Sequence, residues 1–226
     1  MLSILSVFIF MLTVKHDIVE VSMNTYQKEQ IQALQMVRRH VDLLEKSPGF
    51  KPGISDQIAE YLSFRDEMNR FYRRYFEPVC SEKCYGSHLS ACCSKDGIIT
   101  FWADHVINVI ESGDGALDRL GMVIKNPAYQ DKCIYLQKNG CAWKVKPVVC
   151  EMFLCPEAEK SVFDFHPEAE KDLCGLKKRK KKFTWPEQPV LFETLEDLFV
   201  KAGLDSELMY MHKSPGLLRL IRKRKP

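Results

Sequence analysis

Cysteine spacing constrains this chain more than any other feature. Nine cysteines are present, and eight of them lie between Cys80 and Cys155. They divide into two groups of four. Cys80, Cys84, Cys92 and Cys93 read C-x3-C-x7-C-C, and Cys133, Cys141, Cys150 and Cys155 read C-x7-C-x8-C-x4-C. Thiolate is a soft, charged donor that suits zinc and iron–sulfur centres alike, and each of these takes four ligands. Eight thiols would fill two such sites, or one site and part of a different second one. Cys133 and Cys141 flank Asn139-Gly140, a strong signal for a tight hairpin turn. Cys150 follows Pro147, which can open a short helix whose N-terminal partial charge favours a thiolate. Adjacent side chains point apart, so Cys92 and Cys93 are expected to serve different sites. The ninth cysteine, Cys174, stands alone and reads as a small buried hydrophobe.

Taken together, CSEKCYGSHLSACC and CIYLQKNGCAWKVKPVVCEMFLC resemble the YkgJ-type cysteine-cluster family, a bacterial-type family of zinc- or iron-chelating proteins. Its pattern is a cysteine group ending in CC, followed by a distal C-(apolar)-GC-RP-C segment. The resemblance implies that Cys80, Cys84, Cys92, Cys93, Cys133, Cys141 and Cys150 are metal ligands. It places Cys155 where many members carry a further cysteine. The chain departs from the pattern in two places. Seven residues precede CC where the family gap is shorter and contains CG, and Lys146-Pro147 replaces the RP dipeptide. What the resemblance implies is a metal, not a reaction. Some cysteine-cluster relatives are linked to flagellin lysine N-methylation, so a methyltransfer or redox enzyme stands as an alternative by analogy.

The compartment bears on whether the thiols stay reduced. The uncharged run Leu2 to Val14 lacks a basic flank and a small-residue cleavage site, and it is too short to span a bilayer. It reads as a buried strand or helix, or as sequence ahead of a start at Met23. A reducing, cytoplasmic setting is therefore expected, in which clustered thiols act as ligands rather than disulfides.

The rest of the chain reads as mainly α. Helices surround an irregular cysteine-rich metal-binding module that contains a short β-hairpin. Residues 1–23 form the apolar N-terminal segment. Residues 24–78 form a helical hairpin: Asn24 to Lys46 carries Ile31, Leu34, Val37 and Val41 at helical spacing, and a second helix runs from about Ser55 to Phe76. Residues 79–156 are the cysteine-cluster module, with Cys133 to Val145 as the hairpin. Residues 157–226 are a charged linker and C-terminal helices with a basic tail. PEAEK occurs at Pro156 and again at Pro167, and each copy reads as a helix start with proline first. Thr194 with Asp197 resembles a capping box.

Net charge is +3 and unevenly placed. Lys177 to Lys182 is wholly basic, Arg219 to Lys225 carries no acid, and the remaining chain is net acidic. These stretches are candidate sites for an anionic partner, nucleic acid or a membrane surface; the competing reading is a solvated linker. His88 has two readings: completing a Cys3His zinc site, or a solvated loop histidine. An Asp104–His105 dyad is not expected, because adjacent helical residues face apart. No thiol is singled out as a nucleophile, and no phosphate-binding glycine loop is present. The leading expectation is a cytosolic metal-binding protein using zinc or an iron–sulfur cluster for structure, electron transfer or sensing. A metal-dependent enzyme and a nucleic-acid or membrane-surface adaptor are the alternatives, so whether the chain is an enzyme stays open.

Overall fold

Asn24 starts the first helix as its side chain predicts. Its Oδ1 accepts the Gln27 N–H at 2.8 Å, while Gln27 Oε1 accepts the Asn24 N–H at 3.0 Å. This reciprocal cap is worth about 1 kcal/mol. The computed structural model describes residues 23–46, 52–80, 93–94, 99–184 and 189–224. The expectations for residues 1–22, and for Cys84, His88 and Cys92, lie outside them.

The elements in order are α1 (Thr25–Glu45), α2 (Pro52–Tyr75), α3 (Glu77–Cys80), α4 (Trp102–Glu111), α5 (Asp114–Lys125), β1 (Leu136–Gln137), β2 (Gly140–Cys141), α6 (Val148–Glu151), α7 (Pro156–Phe163), α8 (Pro167–Thr184), α9 (Leu191–Lys201), α10 (Tyr210–Lys213) and α11 (Pro215–Arg224). The fold is mainly helical, with one small two-stranded antiparallel sheet. The paired residues Gln137 and Gly140 enclose Lys138 and Asn139, so the loop sits one residue earlier than Asn139-Gly140. Gly140 still supplies the backbone freedom the turn requires, at φ 107°.

Helix α4 organises the packing. Trp102, Ala103, Val106 and Ile107 are buried together with the polar Asp104, His105 and Asn108. Seven successive buried residues turn through every side of the helix, so its first two turns need neighbours all round. Helix α1 lies along one side of α4 and α9 along another, and α1 also meets α5. The main partners of α1 are α4 and α5, and those of α2 are α3, α8 and α9. The larger core joins α1, α2, α4 and the C-terminal helices. Its aromatic centre is Tyr61, Phe64, Phe183 and Phe192, with Trp102 edge-on to Phe199 at 4.9 Å. A smaller core joins α1, α5 and the hairpin through Ile31, Leu34, Leu120, Ile124, Tyr135 and Trp143.

Three expectations change. The charged linker is largely helix: both PEAEK copies start helices with proline first, and Ala169, Leu173, Leu176 and Phe183 bury one stripe of α8. Cys174 falls off that stripe and is exposed, not buried. Thr194 lies inside α9, where its hydroxyl bonds the Val190 carbonyl at 3.1 Å; the helix begins three residues before it, at Leu191. No described helix is long and apolar enough to cross a membrane.

Candidate metal centre

The two cysteine groups meet through backbone pairing. Ser94 and Lys132 form an isolated antiparallel bridge, and the Cys133 N–H donates to the Cys93 carbonyl at 2.8 Å. The hairpin then returns the chain, so that Cys141 pairs with Leu136. Cys80 is the last residue of α3. Cys80, Cys93, Cys133, Cys141 and Cys150 all line one cavity of about 510 Å³. The five thiols surround the cavity but do not converge on one point. Among the described residues, no three Cys, His, Asp or Glu side chains are grouped closely enough to hold a metal ion.

Cys155 is not brought to this cavity. It stands at the N-cap of α7 and packs partly buried against the larger core. Cys133, Cys141, Cys150, Cys155 and Cys174 are thiols, in no disulfide.

The thiols are held in a low-dielectric setting. Burial pushes Cys133 up to about 12 and Cys141 up to about 11, against hydrogen bonds from the backbone of Tyr135 and Trp143 that favour the thiolates. Burial raises Cys150 too, and its Sγ–H donates to the Ile99 carbonyl at 3.6 Å. In the absence of a cation these groups are neutral at pH 7. A thiophilic cation supplies the charge that makes the thiolate form favourable. The donor set is soft sulfur, which fits zinc or iron and not magnesium or calcium.

Two buried polar side chains fix the limb that carries Cys150. Asn108 accepts the Val145 N–H at 3.0 Å and donates to the Val145 carbonyl at 2.8 Å. Arg65 donates to the Lys146 carbonyl at 2.6 Å and to Tyr61 at 2.9 Å, and it pairs with Glu151. The Arg65 and Glu151 side chains are only 4% and 8% exposed. Val145 to Glu151 is thus anchored at both ends. Behind Tyr135, Gln30 Oε1 accepts from Tyr135 Oη at 2.7 Å, Thr100 Oγ1 at 3.0 Å and His105 Nε2 at 2.9 Å. Burial drops His105 to about 3, so it is neutral in this network. It turns away from Asp104, whose carboxylate accepts the Phe101 N–H at 2.8 Å.

Arg65, Asn108 and Gln30 carry no signal as ligands. Arg65 is nonetheless marked in the sequence: it occupies the apolar stripe Ile58, Tyr61, Arg65, Met68, where a cation needs a buried partner. In comparison with known proteins, no family model, no curated protein and no solved structure matches the chain.

Proposed function

We propose that this chain is a metal-binding protein that holds zinc or an iron–sulfur centre in the cavity between its two cysteine groups. The observation that carries the reading is that five cysteines, from stretches far apart in sequence, line one cavity. Cys80, Cys93, Cys133, Cys141 and Cys150 are the candidate ligands, and binding would draw their sulfurs closer together than they lie here. The resemblance to the YkgJ-type family adds Cys84 and Cys92. The bound group would supply charge and, if iron, electron transfer. The chain's own contribution is a hairpin and a doubly anchored limb that position the sulfurs. A reducing cytoplasmic compartment accords with this use of thiols.

A second reading, a metal-dependent enzyme, is favoured by the size of the cavity. At about 510 Å³ it falls within the range of small-molecule sites, and beyond the sulfurs its wall includes Tyr72, Phe76, Phe153 and Leu154.

The test is anaerobic purification followed by elemental analysis and visible absorption. Stoichiometric zinc in a colourless protein, or iron with broad visible absorption, is the expected result. Single Cys133→Ser, Cys141→Ser and Cys150→Ser variants should lose the metal, whereas Cys155→Ser and Cys174→Ser should keep it. A chain that is metal-free as isolated and takes up neither zinc nor iron would overturn the proposal.

A further inference from the structure

We propose that the groove between α2 and α8 binds single-stranded nucleic acid through its phosphodiester backbone. The two helices run antiparallel. The Tyr75 ring meets His166 at 5.5 Å, Glu67 meets Arg179 at 2.5 Å, and Phe64 meets Phe183 at 5.4 Å. The groove between them encloses about 650 Å³. Arg70 and Arg74 enter it from one helix, Lys171 and Arg179 from the other, against Glu67 and Asp172. These cations lie about a hundred residues apart in sequence and share a wall only after folding. Arg70 and Lys171 make no ion pair among the described residues, so both are available to an external anion.

Three features select the occupant. Beyond the groove, Lys178 and Lys182 fall on the same face of α8 as Lys171, a rise of about 17 Å, which suits a chain of phosphates and exceeds a single one. Gly175 lies in the groove, and a Cβ built there meets nothing within 4 Å. Glycine weakens a mid-helix position relative to alanine, and among the described residues no close neighbour calls for it there. Its missing side chain leaves the groove open at that point. Next to His166, at the Tyr75 end, Phe165 is 80% exposed and offers a face on which a base can stack.

Helix capping does not account for the row. Lys181 and Lys182 sit in the last turn of α8 and complement its dipole. Arg70, Lys171 and Arg179 lie outside that turn. Burial, followed by repulsion from Lys177 and Lys181, lowers the pKa of Lys180, as expected where cations crowd.

The test uses the full chain and a fluorescein-labelled oligouridine of about 20 nucleotides, read by anisotropy over a salt series. Four phosphate contacts predict a slope of log affinity on log salt of about −3. The Arg70→Glu/Lys171→Glu double variant should bind at least about ten-fold more weakly. Gly175→Leu, which leaves charge unchanged, should also weaken binding by several-fold. A Lys28→Glu/Lys125→Glu variant, with the same charge change on α1 and α5, should bind like wild type. Thermal melts report whether each variant is folded. Equal weakening by groove and control variants overturns the proposal. So does an absence of binding at low salt, or sedimentation with phosphatidylserine vesicles in place of oligouridine binding. None of these outcomes depends on metal content.

Discussion

Helix α2 is a wall shared by two concave regions of opposite character. Asn69, Tyr72, Arg73 and Phe76 face the thiol cavity; Glu67, Arg70, Phe71, Arg74 and Tyr75 face the cationic groove. Arg65 and Glu67 are two residues apart, about 200° around the helix. Each forms an ion pair with a distant element. Arg65–Glu151 is nearly excluded from water, whereas the Glu67–Arg179 side chains are 46% and 45% exposed. Buried Arg65 and Glu151 must keep each other as partners, because their surroundings do not solvate a lone charge. On the groove side water screens each charge, and a cation can exchange its partner for a phosphate.

The largest expected effect is on the buried pair. Arg65→Ala should lower unfolding free energy by about 3–5 kcal/mol, because Glu151 would be left buried and unpaired. Urea denaturation measures this. The Arg65→Met/Glu151→Leu double variant should recover most of the loss. A loss below 1 kcal/mol in the single variant would erase the contrast between the two sides of α2.

The next effect concerns a buried carboxyl elsewhere. Burial raises Glu196 to about 9, beside His212 Nδ1 at 3.0 Å and with Glu193 nearby. The folded state keeps a proton that the unfolded chain releases near its ordinary value of 4.5. The folded protein therefore binds more protons across this window, and stability falls as pH rises from about 4.5 to about 9. Glu196→Gln should flatten that fall and exceed wild type by about 1–2 kcal/mol at pH 9, read by denaturation across pH.

The smallest effect is at the exposed pair. Arg179→Ala should cost no more than about 1 kcal/mol, even though its guanidinium also lies 5.4 Å from the Phe64 ring centroid. The same variant should weaken oligouridine binding more than it destabilises the fold. A large stability loss would show that the groove cations serve packing.

Much of the local structure was legible because it depends on neighbours in the chain. Asn24 caps, both PEAEK prolines start helices, and Gly140 takes the positive φ of the hairpin, since each obeys a steric or hydrogen-bonding rule within a few residues. The misreadings have an equally physical origin. Lys177 to Lys182 reads as linker because six cations hide the stripe Ala169, Leu173, Leu176 and Phe183 that holds them helical. Thr194 resembles a cap, but Leu191 and Phe192 gain more by burial inside α9 than as a lead-in. Cys174 follows Leu173, and a one-residue step on a helix is enough to turn a side chain from core to solvent.

By itself the sequence determined the chemistry: sulfur donors in two spaced groups, helices of stated length, and cations in runs. These are properties of composition and local spacing, and they hold before any long-range contact forms. Only the tertiary structure decided which groups share a space. It drew Cys80 and Cys93 to Cys133, Cys141 and Cys150 and left Cys155 against the core. It also set Arg70 and Arg74 across from Lys171 and Arg179. The reason is burial. Helix α2 packs against α3, α8 and α9, and the place this burial gives it sets one wall of both the cavity and the groove.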